Sequence, residues 1–349
     1  MYAGVVHGPF DIRYEQIEMP QPKPGEVLVK VKYTGICGSD IPRVNGNACH
    51  FFPIVLGHEF SGTIAAVGQG VTDRKAGDRV AGVPLVPCMV CEDCRRGNFS
   101  LCKHYSFIGS RRNGSFAEYV ALPAENTVLI GQTTDFETGA LFEPATVALH
   151  GIRLAEYVPG KSVAIVGAGT IGSLTMQWCR IFGARNIVML NRGTGKRERS
   201  LSLGANAYVD TTDPDYLQNA RWANGGRGFD FVFETAGTAQ TIKMAFALGE
   251  NRSHVCMIGT PKSDVSFSVA EWEQLNRKEM YVTGSWMSYS APFPGSEWTE
   301  TAHFFETGEL KLEDSLIFRK IPLSRIEEAF ALFRTPGAVK GKILIDSEA

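Results

Sequence analysis

Residues 162–172 limit the fold more than any other stretch of the chain. Ser162-Val163-Ala164-Ile165-Val166 is an unbroken apolar run, suited to a strand buried on both faces of a parallel sheet. Gly167-Ala168-Gly169-Thr170-Ile171-Gly172 follows directly and opens a helix. Between a strand and a helix, such glycines let a dinucleotide's pyrophosphate approach the backbone and the helix N-terminus. Gly167, Gly169, Thr170, Ile171 and Gly172 are therefore candidate cofactor contacts. Further strands are expected at 186–190, 229–233, 254–258 and 280–283, spaced as βα units should be, and they complete a doubly wound parallel sheet. Glu234, just past the run at 229–233, joins the cofactor candidates.

The residue after the second run decides the cofactor. An acid there, roughly 20 residues beyond the glycines, would accept hydrogen bonds from the ribose hydroxyls of NAD. This chain has Asn191, then Arg192, with Lys196 and Arg197 close behind. Loss of the carboxylate removes repulsion against a 2′-phosphate, and a guanidinium can bind that phosphate through two hydrogen bonds. The pattern tilts toward NADP(H) over NAD(H). In the alternative, Arg192 stacks on adenine while Asn191 still serves the NAD ribose.

A second signal is Cys88-x2-Cys91-x2-Cys94-x7-Cys102. Four thiolates so close in sequence can close a tetrahedral site with no position left for a substrate, which describes a structural zinc. An iron–sulfur centre is the alternative, but nothing in the sequence indicates an electron-transfer partner. Earlier, Cys37, His58 and Glu59 offer the three ligand types that an open, catalytic zinc site uses. Asp40 is a candidate to accept from the second ring nitrogen of His58, which would fix its tautomer and raise its basicity. Glu143 lies in an apolar stretch, where a carboxylate is costly unless paired or metal-bound, and is a further ligand candidate. Arg111 and Arg112, paired near these segments, are candidates for an anionic substrate group.

With 349 residues the chain exceeds the size at which one core keeps growing, so two domains are expected. Their boundaries are nested: 1–148 with 285–349 form a β-rich, zinc-binding domain, and 149–284 form the dinucleotide domain. At the start, runs at 5–8 and 27–33 read as strands that pair across a proline-rich turn at 20–25. Acidic and basic residues nearly cancel, to −2, and no run of like charge recommends a nucleic-acid partner. No leader-like or membrane-spanning stretch is evident, so a cytoplasmic protein acting on a small molecule is expected, with no membrane partner.

Taken together, Cys37-Gly-Ser-Asp40, Gly57-His-Glu-Phe-Ser-Gly62, the four-cysteine run, Gly114-Ser-Phe-Ala-Glu-Tyr119 and the 167–172 fingerprint resemble the zinc-containing medium-chain dehydrogenase/reductase superfamily. Within it, segments such as 52–62, 83–88, 107–112 and 284–290 look most like polyol dehydrogenases related to sorbitol dehydrogenase, including those acting on a polyol phosphate. The resemblance implies an α/β chain with a GroES-like β-barrel catalytic domain and a Rossmann domain. It implies two zinc ions, one catalytic at Cys37, His58, Glu59 and/or Glu143 and one structural at Cys88, Cys91, Cys94 and Cys102. It implies catalytic roles for Glu59 and Asp40, a proton relay at Ser39, and assembly as a homodimer or homotetramer. Substrate candidates are Arg43, Arg111, Arg112 and Lys342 for an anionic group, His50 for hydroxyls, and Trp286. An unphosphorylated sugar alcohol or threonine is the alternative substrate; a protein that binds without catalysis is disfavoured because His58 and Glu59 are both present.

Overall fold

The computed structural model describes all 349 residues. They form two compact units, Met1–Glu143 with Tyr289–Ala349, and Pro144–Ser288.

The continuous unit is built on Ser162–Val166, all five residues of which are buried. This strand pairs in parallel with Asn186–Asn191 on one side and Phe229–Glu234 on the other. Ala207–Asp210 extends the first side, while Gly249–Met257 and then Tyr281–Gly284 extend the second, giving six parallel strands. The chain thus reverses its direction of travel across the sheet at Ser162–Val166, and at such a switch point the strand ends leave a crevice for a ligand. Ala164, Val166, Val188, Leu190, Phe229 and Val232 pack one face against helix residues such as Met244 and Phe246. Ala207–Asp210 was not expected from the sequence. Its four residues are too short for a periodic signal, and only the pairing of Tyr208 with Met189 identifies the strand.

The other unit centres on Glu26–Gly35, which pairs antiparallel with Glu59–Val67, Tyr119–Pro123 and Lys342–Asp346. Its alternating Val27, Val29 and Val31 bury against Phe60, Ile64, Val80, Val120 and Leu122. The expected pairing of the two N-terminal runs is wrong. Tyr2–Gly8 turns over Pro9 and Phe10 to pair with Asp11–Gln16, and also with Ile54–Val55, in a separate sheet. Asp11–Gln16 is charged enough to hide its strand character, yet a tight hairpin closes a far shorter loop than the proline-rich segment would. The closing strand Lys342–Asp346 comes back between Glu26–Gly35 and Ile317–Pro322. No helix is long and apolar enough to cross a membrane.

Candidate metal and cofactor sites

The four-cysteine run forms a lobe whose base is the two-stranded pairing of Leu85–Val86 with Ser106–Phe107. All eight cysteines are free. In the lobe, Cys88 Sγ stands 4.0 Å from Cys94 Sγ, and Cys91 Sγ stands 3.9 Å from Cys102 Sγ. Neither is a disulfide distance; both match the edge of a tetrahedron with metal–sulfur bonds of ~2.3 Å, which is about 3.8 Å. Backbone N–H groups already point at the sulfurs, Cys88 N donating to Cys102 Sγ at 3.3 Å and Cys91 N to Cys88 Sγ at 3.4 Å. Such donors favour thiolate, and the backbone N–H of Cys94 leads in lowering the Cys91 thiol to about 6. Burial pushes Cys94 the other way, up to about 12. Four sulfurs in this array could hold a zinc ion.

Cys37, His58 and Glu59 form the second set, their ligand atoms all within 4.8 Å of one another. Cys37 lies just past the end of Glu26–Gly35, and Glu59 opens the neighbouring strand directly opposite Gly35. The register requires a glycine there, because a Cβ on Gly35 would run into the Glu59 carboxylate. Asp40 is fully buried and does two things. Its Oδ2 accepts from Cys37 N at 3.0 Å, closing the turn that presents the thiol, and its Oδ1 faces His58 Nδ1 at 3.5 Å. Neither of those two facing atoms meets a closer hydrogen-bond partner, so they are left to each other. With Nδ1 turned to Asp40, Nε2 of His58 is the nitrogen left for an ion. Burial disfavours a charged imidazole at His58, but Asp40 and Cys37 outweigh it and raise its pKa well above the usual value. Nearby, burial pushes the Glu143 carboxyl up to about 7, against the attraction of His58.

Two expected substrate contacts are instead internal ion pairs. Lys342 is buried, and its Nζ donates to both Glu59 oxygens, at 2.8 and 2.5 Å, and to Ile36 O at 3.1 Å. All three ammonium protons are used, so it cannot reach out to a substrate anion. Arg112 turns away to Glu26, at 3.2 Å, and to the carbonyl of Ala121. Arg43, His50 and Arg111 are the remaining basic candidates. Arg43 Nη1 donates to the hydroxyl and the carbonyl of Ser39, at 2.9 and 3.0 Å. Burial first, then the positive charges of Arg111 and Arg43, lower the pKa of His50. Arg111 lies 4.6 Å above the Tyr105 ring, with its charge still exposed. Trp286 is about half exposed, in the other unit.

In the continuous unit, the helix Thr170–Ile181 starts from Gly169 without a side-chain cap. A Cβ on Gly169 would meet nothing within 4 Å, so open space lies where a pyrophosphate would approach, whereas a Cβ on Gly172 would strike the carbonyl of Gly167 and Thr235 Oγ1. Beside this loop is a cavity of about 570 Å³ lined by Gly167, Asn191, Arg192, Thr211, Thr212 and Thr238, among others. Its shape and its lining of glycine, hydroxyl and guanidinium groups fit the adenosine half of a dinucleotide. Arg197 is exposed on its helix and does not line the cavity. Glu234 is buried at the end of its strand. Its Oε1 accepts from Ala236 N and Gly237 N, both at 2.9 Å, so this buried carboxylate shapes the next loop, while its Oε2 has no hydrogen-bond partner. Thr211 and Thr212 went unrecognised because they follow the strand that the sequence concealed.

Comparisons with known proteins agree with this arrangement. Residues 23–132 match the alcohol dehydrogenase GroES-like domain, and residues 170–307 match the zinc-binding dehydrogenase domain. The galactitol 1-phosphate 5-dehydrogenase of Escherichia coli K12 is 38% identical over 320 residues, 92% of each chain. The crystal structure of galactitol-1-phosphate dehydrogenase from Escherichia coli superposes with a TM-score of 0.94 at 36% identity, covering 99% of this chain and 100% of that one. A zinc-binding dehydrogenase of Sinorhizobium meliloti 1021, solved bound to NADP, gives 0.90 at 31% identity, over 99% and 98%. With both domain models matched and a polyol dehydrogenase aligned over nearly its whole length, the chain belongs to the zinc-binding alcohol dehydrogenases, a family of NAD(P)-dependent oxidoreductases.

Proposed function

We propose that this enzyme transfers hydride between a secondary hydroxyl of a polyol phosphate and NADP(H), with galactitol 1-phosphate as the leading substrate. The observation that carries the reading is Arg43 bonded to the hydroxyl of Ser39, next to Cys37, with the exposed Arg111 as a second guanidinium whose charge, like that of Arg43, is felt at His50. Two guanidinium groups at that place suit the phosphate of an otherwise neutral polyol. Similarity to galactitol 1-phosphate 5-dehydrogenase points the same way.

In this reading Cys37 and His58 are ligands of the catalytic zinc, and Cys88, Cys91, Cys94 and Cys102 hold the structural one. Bound zinc supplies Lewis acidity that makes a secondary alcohol easier to deprotonate, and the nicotinamide supplies the hydride acceptor. The chain's own residues do the rest. Asp40 keeps the His58 ring in one tautomer and keeps Cys37 presented. Ser39 stands at the exposed edge of the same turn, where its hydroxyl can take the substrate proton and pass it to water, while Arg43 holds that hydroxyl in place. Glu59 has its ligand atoms grouped with those of Cys37 and His58 while both its oxygens are held by Lys342, so it is the carboxylate placed to join the ion at rest, and Glu143 is the alternative. Asn191 and Arg192 line the cofactor cavity with no carboxylate to repel a 2′-phosphate.

A panel of galactitol 1-phosphate, arabitol phosphates, sorbitol and threonine, each with NAD and NADP, tests the proposal through kcat/KM. We expect the phosphorylated polyols to lead by at least tenfold and NADP to be preferred; sorbitol or threonine leading would sink the phosphate reading. Metal analysis supplies a second arm. Cys37→Ser should lower bound zinc from about two ions to about one per chain and abolish turnover, and full turnover in that variant would refute the assigned metal site.

A further inference from the structure

We infer that Arg199 is a positioning residue of the cofactor site, holding the glycine loop for NADH and NADPH alike, while discrimination between them rests on Arg192 and the chemistry of Asn191. This rests on the dinucleotide reading of residues 167–172.

Ala168, between the first two glycines, is gripped through both of its backbone polar groups. Its N–H donates to Asn191 Oδ1 at 3.1 Å, and its carbonyl accepts from Arg199 Nη2 at 2.8 Å. On the preceding peptide, the carbonyl of Gly167 accepts from Thr235 Oγ1 at 3.0 Å. A trans peptide is planar, with its C=O and N–H pointing in opposite directions. Turning the Ala168 carbonyl to Arg199 therefore turns the N–H of Gly169 the other way, at the residue from which the uncapped helix starts. The peptide that must meet the pyrophosphate is thus oriented from outside the loop, by a side chain about 30 residues further on.

Arg199 belongs to Arg197–Ser202 and is half-buried; burial lowers its pKa, yet a guanidinium stays charged. It does not line the cavity in which Asn191 and Arg192 stand. Acting through the Ala168 peptide, it has no means to sense whether the ribose carries a phosphate. Asn191 has a double position. Its Oδ1 serves the loop and its Nδ2 donates to Arg192 O at 3.0 Å, so its acceptor oxygen matters to loop geometry and its missing charge matters to cofactor choice.

The experiment is direct binding of NADH and NADPH to the whole enzyme, read by nucleotide fluorescence or calorimetry without turnover. Arg199→Met should weaken both by about tenfold, the worth of one charge-assisted hydrogen bond, and leave their Kd ratio unchanged. Arg199→Lys, which keeps a charged donor, should recover most of that loss, whereas a merely structural role would give no such rescue. Asn191→Asp, which keeps an acceptor for Ala168 N–H, should hold NADH affinity and weaken NADPH alone. Arg199→Met with both affinities intact, or with NADPH weakened more than about threefold beyond NADH, overturns the inference. Tighter binding of NADH by the unmodified enzyme would instead count against the NADP preference and leave the role of Arg199 standing.

Discussion

Lys342 shows how a single residue changes meaning once its neighbours are known. On paper it is a cation near the end of the chain; in the folded protein it is the counter-ion of Glu59, with both groups nearly inaccessible. A buried pair of this kind contributes little net stability relative to an apolar pair, but losing one partner strands the other charge away from water. Lys342→Met should cost about 3–5 kcal/mol in denaturant unfolding, and Lys342→Arg much less. A loss under about 1 kcal/mol for the methionine variant would show that Glu59 is satisfied some other way. Arg112 behaves similarly, a candidate for an anionic substrate group that pairs with Glu26. Residue type and spacing identified Cys37, His58 and the four lobe cysteines as metal-ligand candidates, because few other roles place those side chains so close. They could not reveal ion pairs whose partners lie 283 residues apart, as in Lys342 and Glu59, or 86 apart, as in Arg112 and Glu26.

At the scale of elements, legibility tracked how much of an element's signal is local. The strand Ser162–Val166 and the helix from Thr170 announce themselves in adjacent residues, and the structure has both where the sequence put them. Ala207–Asp210 exists only through its neighbour, and Tyr2–Gly8 found a closer partner than the one expected. The cysteine lobe is an extreme of the first kind. Its 88–102 segment contains only a four-residue helix and a single 3₁₀ turn, and apart from the sulfurs it is held mainly by Phe99 against Phe293 and by the Ser100 hydroxyl, which accepts from Tyr289 N. Cys102→Ser should therefore release one zinc per chain and open the exposed Arg95, Arg96 and Lys103 to trypsin, while the rest of the chain resists digestion. Equal protease resistance in variant and parent would show that the lobe is held by packing instead of metal.

For the molecule as a whole, charge is nearly balanced, so no broad field attracts an anion from a distance. Any preference for a phosphorylated substrate has to come from the local pair Arg43 and Arg111. We expect kcat/KM for galactitol 1-phosphate to fall severalfold between about 0.01 and 0.15 M salt, as the screening length shrinks from ~30 to ~8 Å, with little change for sorbitol. A salt-independent ratio between the two substrates would argue against a cationic phosphate contact. The division into units carries a further consequence, one of timing. The unit with the open metal set needs Cys37, His58 and Glu59 from early in the chain and Lys342 from a strand made after all of Pro144–Ser288. During synthesis the continuous unit can fold while its host is still missing the strand that seats between Glu26–Gly35 and Ile317–Pro322. Glu59 spends that interval without its counter-ion, and the nucleotide fold is ready before the centre that is to use it.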